Sequence, residues 1–75
     1  MDEEGLIRCI ELRLGMKGVK MDDRFYEDLG AESIDMVHIA VTVESQTGVF
    51  IPEEIFPELG TVRILYEYIR TRQQA

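Results

Sequence analysis

The stretch SIDMVHIAVTVESQT, residues 33–47, carries apolar side chains on two faces of a predicted helix. At about 100° per residue, one face collects Met36, Ile39, Ala40, Val43 and Thr47. The roughly opposite face collects a second apolar set beside the acids of the helix, namely Ile34, Val37 and Val41. A small bundle needs only one core-facing stripe. We therefore interpret the second stripe as a protein-docking surface, the alternative being that a bent loop covers it.

Helical periodicity and capping residues predict three more helices around this one. The first covers about residues 3–14 behind Asp2, and the last covers 62 to about 71 behind Thr61. A short third helix is expected at 53–56, where Pro57 would stop it. Ser33 is expected to be the N-cap of the second helix.

The connection between the first two helices, residues 16–31, has no clear period. A loop of this length in a small domain is usually functional or held down by its own side chains. The side chains expected to tie it to the core are Val19, Phe25, Tyr26 and Leu29. The predicted fold is thus one all-α domain over residues 1–75, a four-helix bundle with a long loop after helix one and a short third helix.

The 75-residue chain is acidic, with 8 Lys+Arg against 15 Asp+Glu and a net charge of −7. No lysine or arginine lies between Phe25 and Val62, although the acids continue through that span. Such a field disfavours nucleic acid and anionic membranes and favours basic protein partners, although ordinary solubility explains the charge equally well. No segment looks like a membrane span or a signal peptide, so a cytoplasmic location is expected.

Neither catalysis nor a metal site is indicated. Ser33 and His38 are five positions apart, which a regular helix does not place on one face, and the chain is short for a substrate pocket. The acids of the loop do not match an EF-hand. The lone Cys9 has no partner for a disulfide or a metal site, and its apolar position predicts a buried, inert thiol. We expect a protein that is not an enzyme.

The run Asp-Leu-Gly-Ala-Glu-Ser-Ile-Asp, residues 28–35, ends the loop and presents Ser33 at the start of a helix. Backbone N–H groups and the helix dipole there favour a phosphate on that hydroxyl. By itself the run is explained more simply by Ser33 acting as an N-cap.

This run resembles the Asp-Ser-Leu modification motif of acyl carrier proteins, with Glu32 and Ile34 as conservative replacements. The likeness extends to the Ile-Pro-acid-acid segment at 49–54, to Thr61-Val62 and to Tyr68-Ile69, and it covers about residues 24–70 without a gap. The resemblance implies a monomeric carrier with the acyl-carrier fold. A phosphopantetheinyl transferase would attach 4′-phosphopantetheine from coenzyme A to Ser33, and the terminal thiol would hold the acyl chain as a thioester.

The resemblance also implies roles for neighbouring residues. Asp35 stands where the family's acid helps to bring the serine and metal-bound coenzyme A together. Acyl-transferring or chain-elongating enzymes with basic docking patches would bind Glu32, Ile34, Val37, His38, Val41 and Glu44. The acyl chain would be lined by Ile39, Val43, Ile51 and Ile55.

Departures from the family pattern leave the pathway open, among them Ser45 and Gln46, which follow Glu44 where the family commonly has further acids. His38 replaces a usual Glu, Thr47 replaces a large apolar ring, Phe50 takes a normally polar position, and Pro57 interrupts the third helical region. A specialised carrier for a polyketide or related lipid pathway therefore stands beside a fatty-acid carrier. The alternative from another class is an unmodified acidic helical module that acts only by binding proteins.

Overall fold

The computed structural model describes residues 1–73, which form three α-helices and one 3₁₀ helix. The elements in chain order are α1 (Glu3–Leu14), α2 (Ser33–Thr47), the 3₁₀ helix (Glu53–Glu58) and α3 (Val62–Gln73). The described residues contain no strand, and their only β feature is an isolated antiparallel bridge between Arg24 and Thr61. The predicted all-α, four-helix fold is confirmed.

The ends of the helices follow from their capping residues. The Asp2 carboxylate accepts a hydrogen bond from the Gly5 N–H at 2.7 Å and so begins α1. Gly48 ends α2 with φ at 78°, a left-handed conformation that favours glycine, and its N–H donates to the Glu44 carbonyl. The Thr61 hydroxyl accepts from the Ile64 N–H, which confirms Thr61 as the cap of α3.

The core draws on every helix and on the long loop. It forms because each α-helix turns one apolar stripe inward and these stripes meet. Its most completely buried side chains are Leu6, Ile10, Phe25, Met36, Ile39, Val43, Val62, Leu65 and Ile69. The inner stripe predicted for α2 is therefore confirmed for Met36, Ile39, Ala40 and Val43, whereas Thr47 is half-buried.

The long loop is fastened to the start of α3. Backbone N–H groups of Phe25, Val62 and Arg63 donate to the carbonyls of Gly60, Asp23 and Met21, respectively. These three bonds tie the loop to the segment 60–63. Val19 and Phe25 are buried as predicted, and Leu29 packs on the core.

Two expectations about the loop and the third helix were wrong. Tyr26 is exposed rather than buried. Met21 is buried instead, and the sequence did not indicate this because the loop has no periodic pattern. The third helix is a 3₁₀ helix that includes Pro57 instead of stopping before it. A short 3₁₀ segment uses few internal hydrogen bonds, so the missing proline N–H interrupts little there.

Candidate functional site

The first turn of α2 presents Ser33 to solvent. Glu32 is the N-cap residue and Ser33 is the first residue of the helix, so the prediction that Ser33 caps α2 was wrong. The two acids form a capping box, in which the Asp35 Oδ2 accepts from the Glu32 N–H at 2.9 Å and the Glu32 side chain accepts from the Asp35 N–H. Within residues 1–73 the Ser33 hydroxyl makes no hydrogen bond, because the cap is closed by its neighbours. The hydroxyl is available for chemistry.

Asp35 is held at both of its carboxylate oxygens. While Oδ2 accepts from Glu32, Oδ1 accepts from the Arg13 Nε at 2.9 Å, and the side chain of Asp35 is only 16% exposed. The Glu32 N–H bond is the main reason that the pKa of Asp35 lies below its ordinary value. Burial opposes this shift, whereas Arg13 reinforces it. Asp35 is therefore ionised and oriented before any partner arrives.

A phosphodiester on Ser33 fits this turn. N–H groups at the start of an α-helix lack intrahelical acceptors, and together with the dipole they favour a nearby phosphate. Both Ser33 and the adjacent Ile34 are exposed, which leaves room for the group. Of the two flanking acids, Asp35 already has its charge paired with Arg13, so the repulsion of a phosphate is reduced.

The outer face of α2 is apolar and open. Ile34 is 54% exposed and Val41 is 60% exposed, while Val37 is half-buried and packs on the core. The alternative that a bent loop covers the stripe fails for Ile34 and Val41. Glu32 and Glu44 stand exposed at its two ends.

A groove continues this face toward the 3₁₀ helix. Its volume is about 560 Å³, and it lies between α2 and the segment 50–54. Val37, Ala40, Val41, Phe50 and Ile51 provide its apolar wall. Glu44, Glu53 and Glu54 provide an acidic rim. An apolar recess with charge of one sign at its edge suits a basic protein surface that presents an apolar side chain.

Phe50 is the main addition that the structure makes to the candidate site. Its ring is 64% exposed beside Val41, where it extends the apolar face beyond α2. The sequence signal was present, because Phe50 departs from the family pattern, but its position relative to α2 depends on the extended segment 49–52.

The four candidate chain-lining residues do not meet in one open cavity. Ile39 and Val43 are buried in the core, and Ile51 is buried where it borders the groove. Ile55 is half-buried and borders a different groove, formed with Leu59, Ile64 and Tyr68. Within residues 1–73 these four side chains therefore form no single open chamber.

His38 of α2 and half-buried Cys9 of α1 lie at the junction of these two helices. Both border a groove of about 540 Å³ with Leu12, Arg13 and Thr42. Burial raises the pKa of the Cys9 thiol, against a hydrogen bond with Thr42 that lowers it, so the thiol is less reactive than a free one. No hydrogen bond joins His38 to Ser33 in the described chain, and no cluster of candidate metal ligands occurs there.

Comparison with known proteins identifies the family. A model of the phosphopantetheine attachment site matches residues 4–69. The acyl carrier protein of Treponema denticola is 36% identical over 64 residues, which cover 85% of this chain and 82% of that protein. The acyl carrier protein of Treponema pallidum (strain Nichols) is 34% identical over 62 residues, which cover 83% of this chain and 80% of that protein. The chain belongs to the acyl carrier protein family.

The family assignment confirms the resemblance seen in the sequence. Its cofactor is 4′-phosphopantetheine, since the matched model describes the attachment site of that group. Acyl carrier proteins are carriers rather than catalysts, and they act with partner enzymes on an acyl chain. No helix among residues 1–73 is long and apolar enough to span a membrane.

Proposed function

We propose that this acyl carrier protein holds acyl intermediates as thioesters on a 4′-phosphopantetheine arm attached to Ser33. The observation that carries the proposal is the exposed Ser33 hydroxyl at the start of α2, which helix capping leaves unused. The matched family model spans this position. Ser45, the other serine of α2, stands near the opposite end of the helix and lacks the N-terminal N–H groups.

The attachment requires a phosphopantetheinyl transferase and coenzyme A. The Ser33 Oγ loses its proton and bonds to phosphorus, while the bond from that phosphorus to 3′,5′-adenosine diphosphate breaks. Asp35 would take part as a fixed negative charge, since its pKa lies below the ordinary value. The terminal thiol of the bound group supplies the thioester chemistry. Ser33 and the N–H groups of the first turn would hold its phosphate.

Partner enzymes would dock on the outer face of α2. Ile34, Val37 and Val41 would supply the apolar contact, and Glu32 and Glu44 would attract basic patches. His38 would replace one acidic contact with an imidazole, which carries no negative charge. Association should be fast, weak and sensitive to salt, because surface charges accelerate encounter more than they lengthen residence.

The acyl chain would enter between α2 and the 3₁₀ helix. Ile51 borders the groove beside α2, Ile55 belongs to the 3₁₀ helix, and Ile39 and Val43 of α2 are closed within the core. For these side chains to contact an acyl chain, α2 and the 3₁₀ helix would have to separate. The cargo belongs to fatty acid, polyketide or related lipid synthesis, and the departures at His38 and Phe50 favour a dedicated pathway.

The test is an intact-mass measurement after incubation with coenzyme A and a broad-specificity phosphopantetheinyl transferase. Wild-type protein should gain one 4′-phosphopantetheine, Ser33→Ala should gain none, and Ser45→Ala should gain the group as wild type does. The Ser45 variant is the matched control, because it loses an exposed hydroxyl from the same helix.

Circular dichroism establishes that each variant is folded. Modification of folded Ser33→Ala would reject the site. Failure of folded wild-type protein to accept the group from several transferases would instead support the unmodified binding module.

A further inference from the structure

Arg13 reaches from the last turn of α1 to the first turn of α2. Its Nε lies 2.9 Å from the Asp35 Oδ1, with the arginine side chain 35% exposed and the aspartate side chain 16% exposed. The other ion pairs of residues 1–73 lie within the loop, within α3 or between the loop and α3. This contact is thus the one ion pair in the described chain that joins two helices.

The contact lies beside the hydroxyl proposed for modification. Asp35 is two residues beyond Ser33, and both of its oxygens are already engaged. An enzyme that reaches the Ser33 Oγ must also cover this turn, because the residues occupy the same turn of the helix. The charge state and accessibility of Asp35 therefore belong to the surface that the enzyme meets.

Coenzyme A determines which charges the enzyme brings. It carries several phosphate charges, so a protein that presents it to Ser33 needs cationic side chains or divalent cations around them. These cations approach Glu32 and Asp35 on the first turn of α2. Arg13 competes with them for Asp35, because its guanidinium already occupies Oδ1 and offsets the charge.

We propose that Arg13 masks Asp35 and so weakens the docking of the transferase that modifies Ser33. This inference rests on the proposed function, since it presupposes modification at Ser33. Arg13 is a positioning residue that acts through Asp35 and touches no reacting atom. Its effect falls on recognition of the carrier, whereas the bond-forming step at the Ser33 Oγ is unchanged.

The test compares Arg13→Gln with Arg8→Gln in the transferase reaction with coenzyme A. Arg8 lies on the same helix, is exposed and makes no ion pair within residues 1–73, so the control carries the same change of charge. Relative to Arg8→Gln, Arg13→Gln should lower the KM for the apo carrier about two- to fivefold with kcat unchanged. Arg13→Lys, which keeps the positive charge, should stay near the wild-type KM.

A double-mutant cycle with Asp35→Asn identifies the route of the effect. In the Asp35→Asn background, Arg13→Gln and Arg8→Gln should have the same KM for the apo carrier, because residue 35 then has no carboxylate for Arg13 to mask. Amide hydrogen exchange at Glu32 reports the cap at the start of α2. The Glu32 amide should remain protected from exchange in Arg13→Gln. Such protection would show that the lower KM comes from exposure of Asp35 and not from a loosened first turn of α2.

Three results would overturn the inference. The first is equal KM values for Arg13→Gln and Arg8→Gln, and the second is a higher KM for Arg13→Gln. The third is a lower KM for Arg13→Gln than for Arg8→Gln that persists in the Asp35→Asn background. Each presupposes that wild-type protein is modified at Ser33. If wild-type protein accepts no group, the proposed function fails with the inference. If it is modified normally and the two variants agree, only the role of Arg13 is rejected.

Discussion

The two apolar faces of α2 have similar composition and opposite environments. Val43 on the inner face is 0% exposed, whereas Val41 on the outer face, two residues earlier, is 60% exposed. The inner face contributes to the core shared with α1, α3 and the loop. The outer face borders an open groove with an acidic rim. Similar valines on one helix are therefore buried in the core on one side and exposed on the other, where we propose that partners dock.

This contrast shows how a helix of a small carrier can have apolar side chains on two faces. Burial of the inner stripe is sufficient to hold α2 in place, so the outer stripe is free to meet partners. Its exposure has a cost in solubility, which the surrounding acids and the net charge of −7 offset. The comparison gives three predictions, from the largest expected effect on stability to the smallest.

The strongest test truncates one valine on each face. Val43→Ala should lower the free energy of unfolding by about 2 kcal/mol, because it leaves a cavity in a closed core. Val41→Ala should change it by no more than about 0.5 kcal/mol, since that side chain is mostly in water. Urea unfolding followed by circular dichroism measures both values. Equal losses would mean that the outer face is covered in solution.

The second prediction compares the hydroxyls at the starts of α2 and α3. Thr61→Ala should cost about 1 kcal/mol, because the Thr61 hydroxyl accepts from the Ile64 N–H. Ser33→Ala should cost less than about 0.5 kcal/mol, because the Ser33 hydroxyl makes no capping bond within residues 1–73. Thermal and urea unfolding of the two variants check the order. If Ser33→Ala lost more unfolding free energy than Thr61→Ala, Ser33 would be a structural cap after all.

The smallest effect concerns the pH dependence of the cap on α2. The pKa of Asp35 lies below its ordinary value of 3.8, so its carboxylate stabilises the fold above that pH and loses this contribution as the pH falls through the folded-state pKa. Wild type should exceed Asp35→Asn in unfolding free energy near pH 7, by less than the Thr61→Ala loss. Urea unfolding should show the difference shrinking below about pH 3.8. A constant difference would reject the ionic contribution.

The helices and their caps were largely predictable because their causes are local. Asp2, Gly48 and Thr61 act within a few residues of the ends that they define, and the inner stripe of α2 follows from helical periodicity. The prediction that Ser33 caps α2 was wrong because serine, glutamate and aspartate are all able to cap a helix. Only the observed positions of Glu32 and Asp35 decide among them.

The candidate site was predictable in part. The motif around Ser33 identified the modification site as a hypothesis, and periodicity placed Ile34 and Val41 on the outer face. The position of Phe50 against that face was not predictable, because it depends on the path of the segment after α2. Ile39 and Val43 show the same limit. Periodicity indicates that their side chains point inward, but it does not show whether they face an open cavity or, as in the structure, a packed core.

By itself the sequence determined the helical fold, the acidic field, the two apolar faces of α2 and the family resemblance. These properties depend on residue order, charge and short-range periodicity, all of which act without tertiary contacts. Only the tertiary structure decided that the outer face stays open, that Phe50 extends it and that Arg13 reaches Asp35. Those features depend on how α1, α2 and the segment after α2 pack, because side chains distant in sequence must meet in space.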